Sequence, residues 1–412
     1  MQGSIPDIVV TGIAMSTAVA SDAEGTWKAL LDGQSGVRLL GEALPADVEL
    51  PTRMGAGILE NVDTDLNRVE LRRLSYLQKI ALVLSRRVWE ACGTPDVDPM
   101  RLGVSIGSGY GITQDVILAY HAMKDRGLKA VSPLAVQMYM PNGPAATVGL
   151  DRHAKAGVTA HLMGDASGNG AVAAAWRQLV FGEADMVICG GVEDRIEPVP
   201  IAAYSQLDGV LATDDDDPAG ACRPFDRTRT GMVLGEGGAL LVLETEVHAK
   251  ARGATILARV LGASMNSDGY DLMFNDPDGE QAAAAVTRAI ELAGLKASDV
   301  DHVNAHAAGT VRGDVAEAVA LRRAFGAVHP AVYAPKAALG HSFGAAGAIE
   351  SALTVLALRD GVVPPTLNLT ELDPAMELDV VAGQPRVADY RYAVNTSFGF
   401  GGHNVAVVFG KY

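Results

Sequence analysis

Apolar residues in this chain fall into short runs rich in Val, Ile and Leu, separated by longer stretches in which they recur every third or fourth position. Residues 8–11, 102–106, 186–189 and 239–243 read as buried strands, and 71–92 and 282–293 as amphipathic helices. That alternation predicts an α/β fold. Segments 94–99, 213–218 and 275–279 carry Asp, Pro or Gly and read as loops, with Asp214 to Asp217 a solvated run and not a cation site.

The pattern repeats once. Gly235-Glu236-Gly237-Gly238 ahead of strand 239–243 is echoed by Gly399-Phe400-Gly401-Gly402 ahead of 404–409, and a glycine-led helix at 168–179 is echoed at 344–358. Two similar halves meeting near 251–258 are predicted, 1–255 and 256–412. Glycines clustered beside strands allow close backbone approach and point to a site at the seam.

Composition narrows the class. At 412 residues and 49% hydrophobic content the chain can bury a large core, and 46 glycines against 5% aromatics suit tightly packed helices on a sheet. The formal net charge of −16 argues against nucleic acid as a partner. Arg72-Arg73 and Arg322-Arg323 are local basic pairs that read as solvated helix faces before they read as a dock for an acidic carrier protein. Cys92, Cys189 and Cys222 are far apart, which indicates neither a disulfide framework nor a zinc site, and Cys189 reads as a buried inert thiol. Residues 1–11 hold no Lys or Arg ahead of their apolar positions and do not read as a signal peptide; with no apolar run long enough to span a membrane, a soluble cytoplasmic protein is expected.

Three segments carry chemistry. Met163-Gly164-Asp165-Ala166-Ser167-Gly168 leads into an apolar helix and sets Asp165 at a helix N-terminus, where free N–H groups favour negative charge. A carboxylate is a poor acyl acceptor beside a thiolate, so covalent acyl chemistry is not expected. The run 303–306 ends a strand in His306, and the loop from Pro335 to Gly344 holds Lys336 and His341. Two histidines and a lysine at strand ends and helix starts form a constellation. The glycines of Ser397-Phe398-Gly399-Phe400-Gly401-Gly402 leave N–H groups free to bind an oxyanion, although a plain glycine hairpin reads equally.

Together these segments resemble the β-ketoacyl-acyl-carrier-protein synthases of the thiolase superfamily over nearly the whole chain. The likeness is greatest to actinobacterial ketosynthases that extend mycolic-acid precursors, through 131–138, Pro141-Asn142-Gly143, Cys222-Arg223-Pro224-Phe225-Asp226 and 392–404. The resemblance implies a duplicated, five-layered αβαβα fold, a dimer, and substrates of fatty-acid or polyketide assembly carried on the phosphopantetheine arm of an acyl carrier protein, with no further cofactor and no metal. It matches His306 and His341 to the family's two histidines, Lys336 to its lysine, Glu350 to the acid beside it, and Phe400 to the gate and oxyanion-hole position. Thr310, Phe398 and Met232 fall on the substrate side. Asp165 stands where the family carries its nucleophilic Cys. Further departures are His306-Ala307-Ala308 for His-Gly-Thr, Arg229-Thr230-Gly231-Met232 for Arg-Asp-Gly-Phe, and Tyr270 to Met273 without a His.

Two functions fit. In one, Asp165 pairs with His306 or His341 for acid–base chemistry on a carrier-borne thioester, either decarboxylation or an intramolecular aldol or Claisen-type closure. In the other, the chain is a non-catalytic subunit of the chain-length-factor kind, paired with a Cys-containing ketosynthase. Retention of both histidines favours the enzyme.

Overall fold

The computed structural model describes residues 6–111 and 113–412, so the first five residues of the N-terminal segment lie outside the described residues. Its first half contributes β1 (Ile8–Ser16), β2 (Leu102–Gly107), β3 (Gly157–His161), β4 (Met186–Glu193) and β5 (Gly237–Thr245). They lie side by side as β3-β2-β4-β5-β1. The second half contributes β6 (Ala258–Ser267), β7 (His302–Asn304), β8 (Ala331–Tyr333), β9 (Tyr392–Gly399) and β10 (His403–Lys411), in the order β8-β7-β9-β10-β6. Numbered within each half, the two orders are the same. The directions also agree: the first three strands of each set are parallel and the remaining neighbours antiparallel. Ile8 to Val10 of β1 pair antiparallel with β6 and join the halves.

Six helices complete the layers: α1 (Tyr76–Ala91), α2 (Gly143–Arg152), α3 (Ser167–Val180), α4 (Glu280–Leu292), α5 (Gly313–Phe325) and α6 (Phe343–Asp360). Helices α3 and α6 pack on each other and touch strands of both halves; α1 and α2 cover the outer face of the first set of strands, α4 that of the second, with α5 beside it. The result is the five-layered αβαβα arrangement. Helix α6 is buried on every side from Phe343 to Leu358. Its Ala, Gly and Leu side chains are uniformly small or apolar because it has no solvent face, which is how a chain with few aromatics fills a large interior.

The two central helices meet at their N-terminal ends through backbone. A Cβ on Gly168 of α3 would lie 2.6 Å from the carbonyl oxygen of Gly344 and 2.9 Å from the amide of Ala348, both on α6. No side chain fits there.

Several expectations are corrected. The helix expected over 71–92 is two, Arg68–Arg73 and α1, because Ser75 and Gln78 form a capping box that starts a new helix. The segment after Pro335 is not all loop but contains the short helix Lys336–Leu339. Strands β1, β4 and β5 extend well past the apolar runs that marked them, into Gly and polar positions that neighbouring strands bury. The Asp214 to Asp217 run is an exposed loop, as expected, and it also anchors its surroundings: Asp215 accepts from Thr52 and from the Arg53 amide, and Asp217 caps the helix Pro218–Ala221. Among the described residues no helix is long and apolar enough to cross a membrane.

The glycine contact predicts a steep local cost. Gly168→Ala should lower stability by about 1–3 kcal/mol or more through overpacking, read as a fall in the urea midpoint with an unchanged m-value.

Candidate active site

Asp165 stands just before Ala166, the N-cap of α3, after Gly164, whose φ of +55° gives the turn its left-handed step. Ser167 ties the turn, its hydroxyl donating to the Gly164 carbonyl at 2.6 Å and accepting from the Met163 amide at 2.8 Å. The end of β9 presses on it: a Cβ on Gly399 would come within 3.0 Å of the Asp165 nitrogen. The hairpin therefore delivers the Phe400 amide to Asp165 Oδ2 at 3.3 Å. Asp165 is only 5% exposed.

His341 stands just before Ser342, the N-cap of α6, and its Nε2 lies 3.4 Å from Asp165 Oδ1. Its Nδ1 accepts the Phe343 amide at 3.2 Å. His306 lies two residues past the end of β7, its ring edge-on to that of His341 with centroids 5.2 Å apart. Lys336 is buried beneath it, donating to the His306 carbonyl and to Glu350, and its ammonium lies 3.4 Å from His306 Nδ1. A buried ammonium needs that carboxylate: removing one partner of such a pair typically costs about 3–5 kcal/mol.

These contacts fix the tautomers. An ammonium and a backbone amide only donate, so Nδ1 of each histidine accepts and Nε2 of each carries the hydrogen. Burial lowers the pKa of both imidazoles, His306 further through the Lys336 charge, and they stay neutral near pH 7. For Asp165 burial pushes upward, but the hydrogen bond from His341, the Phe400 amide and the Lys336 charge prevail and hold it below the usual carboxylate range. The site thus presents one carboxylate and two neutral N–H donors. Asp165, His306 and His341 can bring ligand atoms within 4.8 Å of one another, a composition some metals accept. Metal binding at Nε2 would require each Nδ1 to hold the hydrogen, against the Lys336 and Phe343 donors, so this donor set suits an oxygen to be stabilised better than a cation.

A cavity of about 40 Å³ opens on these groups, and Met232, Thr310, Phe398 and Phe400 line it with Asp165, His306 and His341. The substrate-side residues expected from the sequence all come together there, with Lys336 beneath. A second hollow of about 40 Å³ shares Asn275, Thr310, Gly313 and Phe400 with the first and continues outward past Asp208 and Arg312. Alternating small polar and aromatic walls make this a narrow path to the carboxylate.

Sequence reasoning left out several supports. Glu317 accepts the His306 amide at 2.8 Å and the Thr396 hydroxyl at 3.0 Å, and burial pushes its carboxyl up to about 7. Asp314 accepts the Gly309 amide at 3.1 Å and the Phe225 amide at 2.8 Å. Glu193 receives four backbone amides, those of Gly109, Gly111, Asp194 and Gly344, and so ties the end of β4 to the start of α6. Acidic residues within an otherwise apolar strand or helix were the available signal. The three cysteines are buried, and burial raises each thiol pKa, so none is a nucleophile here. Arg72 and Arg73 are exposed, as is Arg322, which pairs with Glu377.

Known proteins share this layout. The family model described as "Beta-ketoacyl synthase, N-terminal domain" matches residues 6–249, and "Beta-ketoacyl synthase, C-terminal domain" matches 257–370. The chain is 62% identical over 409 residues to a "3-oxoacyl-[acyl-carrier-protein] synthase 2" of Mycobacterium tuberculosis, covering 99% of this chain and 98% of that one. Among solved structures, a β-ketoacyl synthase from Burkholderia phymatum superposes with a TM-score of 0.90 at 32% identity, covering 99% of this chain and 100% of that one. "The ishigamide ketosynthase/chain length factor" also gives a TM-score of 0.90, at 26% identity and with coverage of 99% and 100%. With both family domains matched in order and the duplicated αβαβα layers around one buried seam, this chain belongs to the β-ketoacyl synthase family.

Proposed function

We propose that the protein acts on a thioester carried by an acyl carrier protein and removes carbon dioxide from a malonyl-type group without forming an acyl-enzyme. The observation that carries this reading is the convergence of the Asp165 carboxylate and the two Nε2–H donors of His306 and His341 on one small cavity. The relatives' name gives the carrier as the form in which substrate arrives.

The chemistry follows from charge. The thioester oxygen takes the two imidazole N–H groups, which stabilise the negative charge that develops on it. The bond from the α-carbon to the carboxylate carbon breaks, carbon dioxide leaves, and the electron pair passes into the thioester as an enolate. A second carboxylate entering beside Asp165 makes full ionisation of both unfavourable, so binding draws one proton onto Asp165. Asp165 then gives that proton to the α-carbon, an acetyl-type thioester leaves, and the carboxylate is restored. Lys336 acts through His306 by holding its tautomer, and Phe343 does the same for His341 through its amide. Ring closure is the weaker option, because it needs a longer chain folded back to bring a second carbonyl into a cavity of about 40 Å³.

The non-catalytic alternative rests on a different observation. Asp165 already takes the Phe400 amide and faces His341, the donors an incoming acyl oxygen would need. Together with the likeness to a ketosynthase/chain length factor structure, this supports a subunit that pairs with a Cys-bearing partner. The enzyme reading has the chain as a homodimer.

Mass spectrometry of malonyl-carrier protein incubated with the pure protein separates the two. Conversion to acetyl-carrier protein is expected, falling about 100-fold or more in Asp165→Asn and in His306→Ala. No conversion alone, with condensation only after a Cys-containing ketosynthase is added, establishes the subunit. Proton uptake on binding also sets a pH profile. The free Asp165 is ionised at neutral pH, so KM should rise by up to about tenfold per unit as pH increases while kcat stays flat, and Asp165→Asn should abolish that slope.

A further inference from the structure

The first half holds a polar hollow of about 500 Å³ that shares no lining residue with the cavity at Asp165. Arg38, Tyr76, Arg195, Glu197 and Glu236 line it, so two guanidiniums and two carboxylates face one space. Three of those four charges are anchored. Arg38 donates to the Gly36 carbonyl at 3.0 Å and to the Gly57 carbonyl at 2.8 Å, and the Arg195 guanidinium lies 4.0 Å from the centroid of the Tyr76 ring. Glu236 accepts the Ile58 amide at 2.8 Å. Glu197 stands at the N-cap of the helix Pro198–Tyr204 without its side chain capping it. A Cβ on Gly57, which also lines the hollow, would lie 3.1 Å from Glu236 Oε1 and 3.6 Å from Arg38 Nη2, so the glycine leaves both groups open to the space.

These opposite charges do not satisfy one another. Among the described residues neither arginine is ion-paired with either glutamate, whereas Glu60 and Asp63 at the same hollow pair with Arg87 and Lys79, which do not line it. Burial pushes the Glu197 carboxyl up to about 7 although the Arg195 charge pulls the other way. Burial also raises the Glu236 carboxyl, against the Ile58 amide and the Arg195 charge. Charges withdrawn from water without a close partner favour a ligand that supplies one. A lone anion would meet two carboxylates here, and a lone cation two guanidiniums. A bare metal ion fits no better, since among the described residues no third carboxylate, His or Cys stands close enough to these glutamates to complete a site. A molecule with opposite charges at separate ends can meet all four groups, and the hollow lies within the range of about 300–1,000 Å³ typical of small-molecule sites.

We infer that this hollow is a binding site for a zwitterion of the amino-acid type, an α-amino acid or a short peptide with free ends, whose ammonium lies on Glu197 and Glu236 and whose carboxylate lies on Arg38 and Arg195. A guanidinium's fork of donors matches a carboxylate, and an ammonium returns to the two glutamates the cation they lack. The site is separate from the reaction proposed above and does not depend on it.

Calorimetry on the full-length protein tests this with three matched probes: L-alanyl-L-alanine, its N-acetyl form, which keeps only the anion, and its C-terminal amide, which keeps only the cation. The free dipeptide should bind, and blocking either end should weaken binding about tenfold or more. Glu197→Gln and Arg195→Met should each cost the dipeptide about tenfold in affinity. Glu197 caps no helix and Arg195 is exposed, so both variants should keep the wild-type circular dichroism. Asp165→Asn should leave the dipeptide's affinity within about twofold of wild type, because the two hollows share no residue. No binding of the dipeptide up to about 10 mM overturns the inference. Blocked forms that bind as tightly as the free dipeptide overturn it too, as does affinity lost in Asp165→Asn but kept in Glu197→Gln.

Discussion

The structure depends on one close contact, the backbone-to-backbone approach of α3 and α6 at Gly168 and Gly344. Two helices that met through ordinary side chains would sit several ångströms further apart. Asp165 and His341 would then not touch, and the Phe400 amide could not reach the same carboxylate. The small residues along α6 are thus geometric requirements of the site as much as core filling. Glu193, buried and receiving amides from the loop after β2, from Asp194 and from the start of α6, secures the same junction from the side.

Charge in the site is arranged around a single buried cation. Lys336 faces Glu350, the His306 carbonyl and His306 Nδ1, so one ammonium both satisfies a carboxylate and decides which imidazole nitrogen carries hydrogen. Burial pushes the Glu350 carboxyl up to about 7 even with the Lys336 charge and hydrogen bond pulling against it. The arrangement makes the electrostatics of the cavity depend on groups that never line it. Glu317, held by the His306 amide and by Thr396, is another such group.

Much of this was legible in the sequence, and the reasons differ by feature. Glycine clusters and apolar runs gave away the duplication, since both report backbone geometry directly. Asp165, His306, Lys336 and His341 stood out because polar residues at strand ends and helix starts have few other uses. The pairing of Asp165 with His341 in preference to His306 was not legible, because it depends on the relative placement of two helices distant in the chain. Nor was the break before Ser75, where a local capping box overrides a continuous apolar period. The ring cluster of Tyr110, Tyr204 and Phe343 escaped as well, because its members come from three segments and look individually like ordinary core residues.

The duplicated strand order has a consequence at the level of symmetry. Asp165 stands three residues before Gly168 and His341 three before Gly344, each just outside the N-cap of its own central helix. They are equivalent positions of the two halves, and they touch each other across an internal pseudo-dyad. The positive ends of both helix dipoles are thereby focused on the same point, a place where any buried anion is favoured. An anchored carboxylate there relieves the mutual repulsion of the two dipoles, so the fold itself rewards a negative group at this seam whatever chemistry that group performs. A carboxylate at position 165 is therefore a group the architecture tolerates by construction, and the dyad is the reason.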